Sequence, residues 1–571
     1  MKKTFIHATK TFAHQAHVLF AFIIGTAFLS ACSTIPTTGP DYLKKPGAIE
    51  EDYYDVNITT HDGKRLRATV FQPALKAGET APIVLHAHGF GVFRMSGPIS
   101  LYGLGIYAGQ SAKEAWKQGY WVISYDERGH GASEGIIRVM SPEHEVKDIS
   151  TIIDWATNNL HRVSMDGPND PKVGMIGESY GGGAQLMGAV QDPRIDALIP
   201  VTTWHSFLNS LTPNDVPKSG WLTTLILSGN VLNPGNMSPV LNKAYWQARE
   251  GQIGSEIFEF LGSHSPQFNC NNDLLPTDVD VLLIQGFRDV LFPLNEAIFN
   301  KDCLQRAGSN DVRLIGTQDG HLLPLTQWSN GLPGYNIETN IHCNEDTFNM
   351  VEMAVDWFDE KLKGIYKKAD YIPNICLSQG YNHGVVLNKV PVGGPSFEFS
   401  DVNINSNFTG FFESALMPFE WLAGLITPRL EDPKLEEHQR TDASMRPAFI
   451  PLYVSTEDQG LTGIPRIQLE LTSDDDSAPV VFAGLGVKRA SNRQIELINQ
   501  QITPIKGIGN HDLDMMAVST RLEKGDIAGL LIYGYSNQYR FSGANWLNST
   551  KLSGAVQIPL LPANSTNIAH N

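Results

Sequence analysis

The sequence predicts an α/β protein built on a mostly parallel sheet, with a mainly helical insertion and a C-terminal all-β domain. Three observations predict this. Between about residues 51 and 366, short apolar runs alternate with helical patterns, as in a parallel sheet covered on both faces. From 202 to 278 the alternation is broken by a stretch holding Trp204, Trp221, Trp246 and many Leu and Asn residues. After Gly364 only short alternating runs bounded by Gly, Pro, Asn and Asp remain, the spacing of a β-sandwich or jelly roll.

Size and charge bound the remaining choices. A chain of 571 residues exceeds what one hydrophobic core usually serves, so two or more domains are expected. Apolar residues at 42% and charged residues at 18% suit a folded soluble body. A net charge of -17 argues against a nucleic-acid partner, which requires a basic footprint.

The elements follow in order. Residues 1–31 read as an export signal. Lys2, Lys3 and Lys10 supply its charge, and Val18 to Leu29 is an apolar run too short to favour a spanning helix. Leu29-Ser30-Ala31-Cys32 resembles a bacterial lipobox. That resemblance implies acylation of Cys32, which then becomes the mature N-terminus. Ser33 resembles the outer-membrane sorting pattern, so the expected location is the cell envelope, lipid-anchored to the outer membrane. A plain secretory signal is the alternative. Residues 32–50 read as a tether.

The core is expected over 51–201 and 279–366. Asp62-Gly63 between two alternating runs marks a hairpin. Ile83 to His88 is a strand, Ser111 to Gly119 a helix, and Tyr120 to Tyr125 a strand. Ser141-Pro142 marks a helix start, with the helix running to about Leu160. Strands follow at Lys172 to Ile176, Ala197 to Val201, Val279 to Ile284 and Val312 to Ile315, with a last amphipathic helix from Met350 to Lys363. Residues 202–278 form the helical cap, 367–562 the β domain and 563–571 a tail.

Gly177-Glu178-Ser179-Tyr180-Gly181, between a strand and a helix pattern, fits the G-x-S-x-G nucleophile elbow. A serine hydroxyl is a weak nucleophile and needs a base, and the base needs a carboxylate to orient it. Downstream, Asp289 follows the strongest apolar strand, and His321 follows the next one in a loop that Gly316 and Gly320 can bend. Asp280 precedes its strand and lies at the wrong edge, Asp319 reads as a turn residue, and His205, His264 and His342 sit in less suitable places. The oxyanion donors are expected to be the backbone N–H groups of Tyr180 and of Phe90, in the His88-Gly89-Phe90-Gly91 loop. His88 reads as a loop-shaping residue and Glu178 as inward support.

Cys270, Cys303, Cys343 and Cys376 allow two disulfides in three pairings, which the sequence leaves open. Their spacing gives no zinc signature, and no cofactor is expected.

Asp126-x-Arg128-Gly129-x-Gly131-x-Ser133-x-Gly135 is a loop common among α/β-hydrolases, and Gly177-Glu178-Ser179-Tyr180-Gly181-Gly182 resembles the G-x-S-Y-x-G form of the X-prolyl dipeptidyl-peptidase and cocaine-esterase family. The resemblance implies an α/β-hydrolase core with a helical cap and a C-terminal jelly roll. It implies a serine hydrolase acting on a small-molecule or peptide substrate, an esterase first and an X-prolyl dipeptidyl aminopeptidase second. Two departures stand out. Many members place a tyrosine hydroxyl in the oxyanion loop, where this chain has His-Gly-Phe-Gly, and no motif marks the carboxylates that would hold a peptide's free amine. The reading from another class is a non-catalytic surface-binding lipoprotein. Oligomeric state is left open.

Overall fold

The structure, a computed structural model, describes residues 47–251, 253–276, 278–309, 311–321, 339–380, 382–405, 442–443, 448–473, 479–534, 536–539 and 549–562. The expected signal, Cys32 and the tail at 563–571 lie outside the described residues.

The hairpin at Asp62-Gly63 joins β1 (Asp52–Thr59) to β2 (Arg65–Gln72), with Gly63 at φ 78° closing the turn. Next come β3 (Ile83–Ala87), α1 (Leu101–Gly105), α2 (Tyr107–Lys117), β4 (Trp121–Tyr125) and α3 (Glu145–Asn159). They are followed by β5 (Val173–Glu178), α4 (Tyr180–Gln191) and β6 (Ile195–Val201). Beyond the cap lie β7 (Asp280–Gly286), a helix at Leu294–Ala307, β8 (Val312–Thr317), a helix at Met350–Lys361, β9 (Ile375–Gly380) and β10 (His383–Val386). The ten strands form one sheet in the order β1-β2-β4-β3-β5-β6-β7-β8-β9-β10, parallel from β4 through β9.

Strands buried on both faces read as continuous apolar runs. β3, β4 and β5 are buried at every position. On one face Ile149, Ile153, Leu186, Ile298 and Leu304 pack on Leu85, Met175, Leu198 and Leu283. On the other, Ala112, Trp116, Trp357 and Phe358 cover Val122, Ile176, Ile199 and Leu282.

The cap is helical, as expected: α5 (Phe207–Leu211), α6 (Ser219–Leu232), α7 (Pro239–Arg249), α8 (Ser255–Ser263) and α9 (Pro266–Asn271). The two later core helices are then α10 (Leu294–Ala307) and α11 (Met350–Lys361). The C-terminal domain is a sandwich. One sheet holds Ser396–Asn405, Ser549–Gln557, Arg466–Ser473 and Gly509–Asp514; the other holds Ala448–Val454, Ile527–Tyr533 and Val480–Lys488. Val402, Leu469 and Val556 share a core with Val481, Leu485 and Leu530. A third, short sheet (Gln459–Gly463 with Val518–Leu522) meets β9, where Ser519 Oγ donates to Ser378 O at 2.7 Å and Gln379 Nε2 to Thr462 Oγ1 at 3.0 Å.

Three expectations shift. The expected domain boundary at 366/367 falls inside the core, because β9 pairs in parallel with β8 and β10 closes that sheet edge. The helix expected from Ser141 begins at Glu145, whose carboxyl accepts the N–H groups of Arg138 and Ser141; Ser141 to His144 is a turn leading in. Helix α2 begins at Tyr107 rather than Ser111, burying the Tyr107 ring and Ala108. Among the described residues no helix is long and apolar enough to cross a membrane.

Candidate active site

Ser179 stands at the corner between β5 and α4 with φ 55° and ψ −112°, a left-handed conformation that a non-glycine residue holds only under constraint. The constraint is visible. Its N–H donates to Val201 O at 2.8 Å, and its carbonyl accepts from Gly182 N at 3.0 Å, Gly183 N at 3.1 Å and Thr203 Oγ1 at 2.9 Å. The corner also presses on β3. A Cβ on Gly177 would lie 2.4 Å from Ala87 O, and one on Gly181 2.2 Å from it, so both glycines are required by close approach. Ser179 itself is partly exposed while its neighbours Glu178 and Tyr180 are buried.

The loop after β3 runs beside this corner, and a Cβ on Gly89 would be 3.9 Å from Ser179 Cβ. Tyr180 opens α4, so its N–H belongs to the first turn, which has no intrahelical acceptor. The Phe90 ring meets the Tyr180 ring edge-on at 5.6 Å. His88 shapes the loop. Glu127 N donates to its Nε2 at 2.9 Å, which puts the proton on Nδ1, and Nδ1 donates to Gly89 O at 2.7 Å. Both ring nitrogens are spent, and burial pushes the imidazole pKa down.

Sequence reasoning missed Tyr102. Its hydroxyl, carried on α1, accepts the N–H of Gly89 at 2.8 Å and bonds the Glu178 carboxyl, tying the loop to the residue before Ser179. A tyrosine with no motif around it gives no signal of such a role.

Asp289 follows β7 and is fully buried. One carboxylate oxygen, Oδ1, accepts the N–H groups of Leu291 at 3.0 Å and Phe292 at 2.7 Å. The other, Oδ2, faces His321 Nδ1 at 2.6 Å. The backbones join too, since Val290 N donates to His321 O at 3.0 Å. Gly320, at φ 139°, lies so close that a Cβ there would fall 2.5 Å from Asp289 Cβ. The His321 ring is held edge-on by Phe292 at 5.5 Å and by Trp221 of cap helix α6 at 6.2 Å. Asp319 is a turn residue whose burial raises its pKa. His205 bonds Asn300 and His264 bonds Val139 O, each away from this pair.

Beneath the corner lie buried carboxyls. Burial pushes the Glu178 and Glu145 pKa values up to about 7, and that of Glu127 well above its usual range. Glu178 is thus turned inward. The cysteines pair as Cys270–Cys303, tying α9 of the cap to α10, and as Cys343–Cys376, tying the hairpin after residue 339 to β9. Among the described residues no group of three or more His, Cys, Asp or Glu is arranged to hold a metal ion.

A strained serine at a strand-to-helix corner, on a parallel sheet with a cap and a C-terminal β domain, defines an α/β-hydrolase. Residues 62–323 match the family described as X-Pro dipeptidyl-peptidase (S15 family), and the match supports a serine hydrolase. Solved structures share the whole architecture. A CocE/NonD family hydrolase from Staphylococcus aureus superposes with a TM-score of 0.59 at 11% identity, covering 92% of this chain and 99% of that one. An α-amino acid ester hydrolase gives 0.59 at 14% identity, covering 92% and 100%. An aminopeptidase from a marine sediment Thaumarchaeota archaeon gives 0.59 at 12% identity, covering 93% and 99%. At such identities the likeness is one of fold. A stretch of 109 residues is 27% identical to an uncharacterized 31.7 kDa protein of Escherichia coli from the traX-finO intergenic region; it covers 19% of this chain and 36% of that protein.

Proposed function

We propose that the protein hydrolyses carboxylic esters through an acyl-enzyme, with Ser179 as nucleophile, His321 as general base and acid, and Asp289 as the orienting carboxylate. The observation that carries this reading is the 2.6 Å contact between His321 Nδ1 and Asp289 Oδ2, which leaves Nε2 as the nitrogen that takes the serine proton. Ser179 Oγ attacks the carbonyl carbon as His321 accepts its proton. The tetrahedral oxyanion receives the N–H groups of Tyr180 and Phe90, two donors fixed before the charge develops. His321 then protonates the departing alkoxide, and water repeats the sequence to release the acid.

The ester reading is favoured over dipeptidyl-peptidase activity by the state of the carboxyls around the corner. A receptor for a substrate ammonium must be ionised and reachable. Glu178, Glu127 and Glu145 are buried, out of reach of a substrate ammonium. The test compares p-nitrophenyl acyl esters with Xaa-Pro chromogenic amides on protein lacking residues 1–32. Ester turnover should exceed amide turnover by at least about tenfold in kcat/KM, a barrier difference of about 1.4 kcal/mol; faster amide turnover moves the protein to the peptidase reading.

We also propose export and acylation at Cys32, on the lipobox-like Leu29-Ser30-Ala31-Cys32. Metabolic labelling with an alkynyl fatty acid should mark the wild type and not Cys32→Ala. Equal labelling of both contradicts the assignment.

A further inference from the structure

The loop bearing Asp289 has an unusual hydrogen-bond economy. Its carbonyl oxygens bond to side chains from three different parts of the molecule. Gln285 Nε2, from β7 itself, donates to Phe292 O. Lys218 Nζ, from the start of cap helix α6, donates to Val290 O at 2.9 Å and Leu291 O at 3.0 Å. Gln501 Nε2, from the C-terminal domain, donates to Phe287 O at 2.6 Å and Asp289 O at 2.9 Å. All three side chains are buried.

Gln501 sits at the end of a strained turn. Asn499 and Gln500 are consecutive non-glycine residues in the left-handed region, at φ 54° and 59°. Asparagine tolerates that region, whereas glutamine holds it at a cost of about 1 kcal/mol or more. The same turn reaches the loop bearing His321. Asn499 Nδ2 donates to Gln318 Oε1 at 2.8 Å, and Asn499 Oδ1 accepts Ser519 N at 2.6 Å. Gln318 Nε2 in turn donates to Ser378 O at 2.8 Å. One turn of the β domain therefore grips both loops whose side chains meet at the His321–Asp289 contact.

We infer that this turn, residues 498–501, sets the geometry of the Asp289–His321 pair, with Gln501 as a positioning residue and Lys218 as its counterpart on the cap. The inference rests on the reading of Asp289 and His321 as the acid and base. Its physical content is that Asp289 has no freedom to find His321 by itself. Oδ2 aims at the ring only while Oδ1 is held by the N–H groups of 291 and 292, and that holds only while the carbonyls of the same loop are tied down. A displacement on the order of 1 Å at such a pair costs about a hundredfold in rate. The C-terminal domain is then part of the catalytic apparatus.

The test uses the whole mature chain and four variants: Gln501→Leu, Gln501→Glu, Asn295→Ala and Asp289→Asn. Asn295 also joins core to β domain, donating to Met515 O at 3.2 Å and accepting Ala517 N at 2.8 Å, but it does not bond the 287–292 carbonyls. Steady-state kinetics on a p-nitrophenyl ester, fluorophosphonate labelling rates and thermal midpoints are measured for each. Gln501→Leu should lose 10- to 100-fold in kcat and in labelling rate with KM changed less than about threefold. Asn295→Ala should keep kcat within about threefold even where its midpoint falls as far. Gln501→Glu places a carboxyl against two carbonyl oxygens. The ionisable groups on the segments packed there are Arg288 and Asp289, Asp319 and His321 on the neighbouring loop, and Lys218 with Glu296 behind them. Its kcat relative to wild type at the same pH should rise as pH falls from 8 to 6 and the new carboxyl takes up a proton. If Gln501→Leu does not fold, this ratio decides the matter. A Gln501→Leu protein with wild-type kcat, a loss that follows the thermal midpoint equally in Asn295→Ala, or a flat Gln501→Glu ratio overturns the inference. If Asp289→Asn keeps full activity, the acid assignment itself fails; if it is inactive while the Gln501 variants are normal, only the positioning role fails.

Discussion

At the scale of single residues, the ground under Ser179 is set by desolvation. Glu178 and Glu145, buried below the corner, and Glu296 at the start of α10 are each pushed by burial to a pKa of about 7. The sign of the consequence is fixed. A carboxyl raised from 4.5 to about 7 keeps a proton in the folded state that the unfolded chain releases, so its stabilising contribution is full below about 4.5 and is lost as pH rises through 7. The ion-paired carboxyls of Asp55, Asp192 and Asp311 are lowered instead, and act below 3.8, outside that window. Over the same range the buried imidazoles of His86, His130, His205 and His264, with pKa values lowered from 6.5, add stability as pH rises. The carboxyl contribution is therefore read by difference: in urea melts Glu178→Gln should lose less stability than the wild type between pH 5 and 7.5, and an identical slope contradicts the account of Glu178. Tyr102→Phe removes a hydroxyl bonded both to Gly89 N and to the Glu178 carboxyl. With the loop after β3 slackened, kcat should fall on the order of tenfold, less than the 10²–10³ typical of losing an oxyanion donor outright, with KM little changed. The corner at Ser179 was legible in its glycine frame, and the meeting of Asp289 with His321 in their places after apolar strands. Tyr102, Lys218 and Gln501 were not, because nothing near them in the chain marks an ordinary tyrosine, lysine or glutamine that acts through residues 13, 72 or 212 positions away.

At the scale of elements, the sheet was legible as far as its strands are apolar runs between turn signals, which is why β3 to β8 fall where the pattern puts them. The pattern failed where local rules compete. Ser141-Pro142 has the chemistry of a helix start, yet the Glu145 carboxyl takes the N–H groups of Arg138 and Ser141, and the helix opens a turn later. Strands β9 and β10 look like the β domain that follows them; only the parallel pairing of Leu314 to Gly316 with Ile375 to Leu377 assigns them to the core. The disulfides bear on the same edge. Cys343–Cys376 closes a loop with a sequence separation of 33 and fastens the hairpin after 339 to β9. Constraining a loop of that length is worth about 3–4 kcal/mol in the chain-entropy account. Cys343→Ala with Cys376→Ala should therefore lower unfolding free energy by about 2–4 kcal/mol while leaving KM for an ester unchanged, as a denaturant titration beside steady-state kinetics will show.

At the scale of the whole molecule, three bodies meet at one loop. The core supplies Asp289 and His321; the cap supplies Trp221 against the His321 ring and Lys218 against the loop carbonyls; the β domain supplies Gln501. The C-terminal sandwich docks through side chains that bond to backbone, such as Asn214 Nδ2 to Pro504 O at 2.8 Å and Asn295 Nδ2 to Met515 O. Such contacts fix register in a way that apolar burial alone does not. Fold class and three-part division were readable from strand and helix periodicity. The docking was not, since it is written in amide side chains that carry no period. The most direct test of the central claim is intact-mass and peptide mapping of protein mixed with a slowly deacylating p-nitrophenyl ester and quenched in acid. The account predicts one acyl group per chain, on the peptide containing Ser179 and absent from Ser179→Ala; an adduct on another residue, or equal acylation of Ser179→Ala, contradicts it.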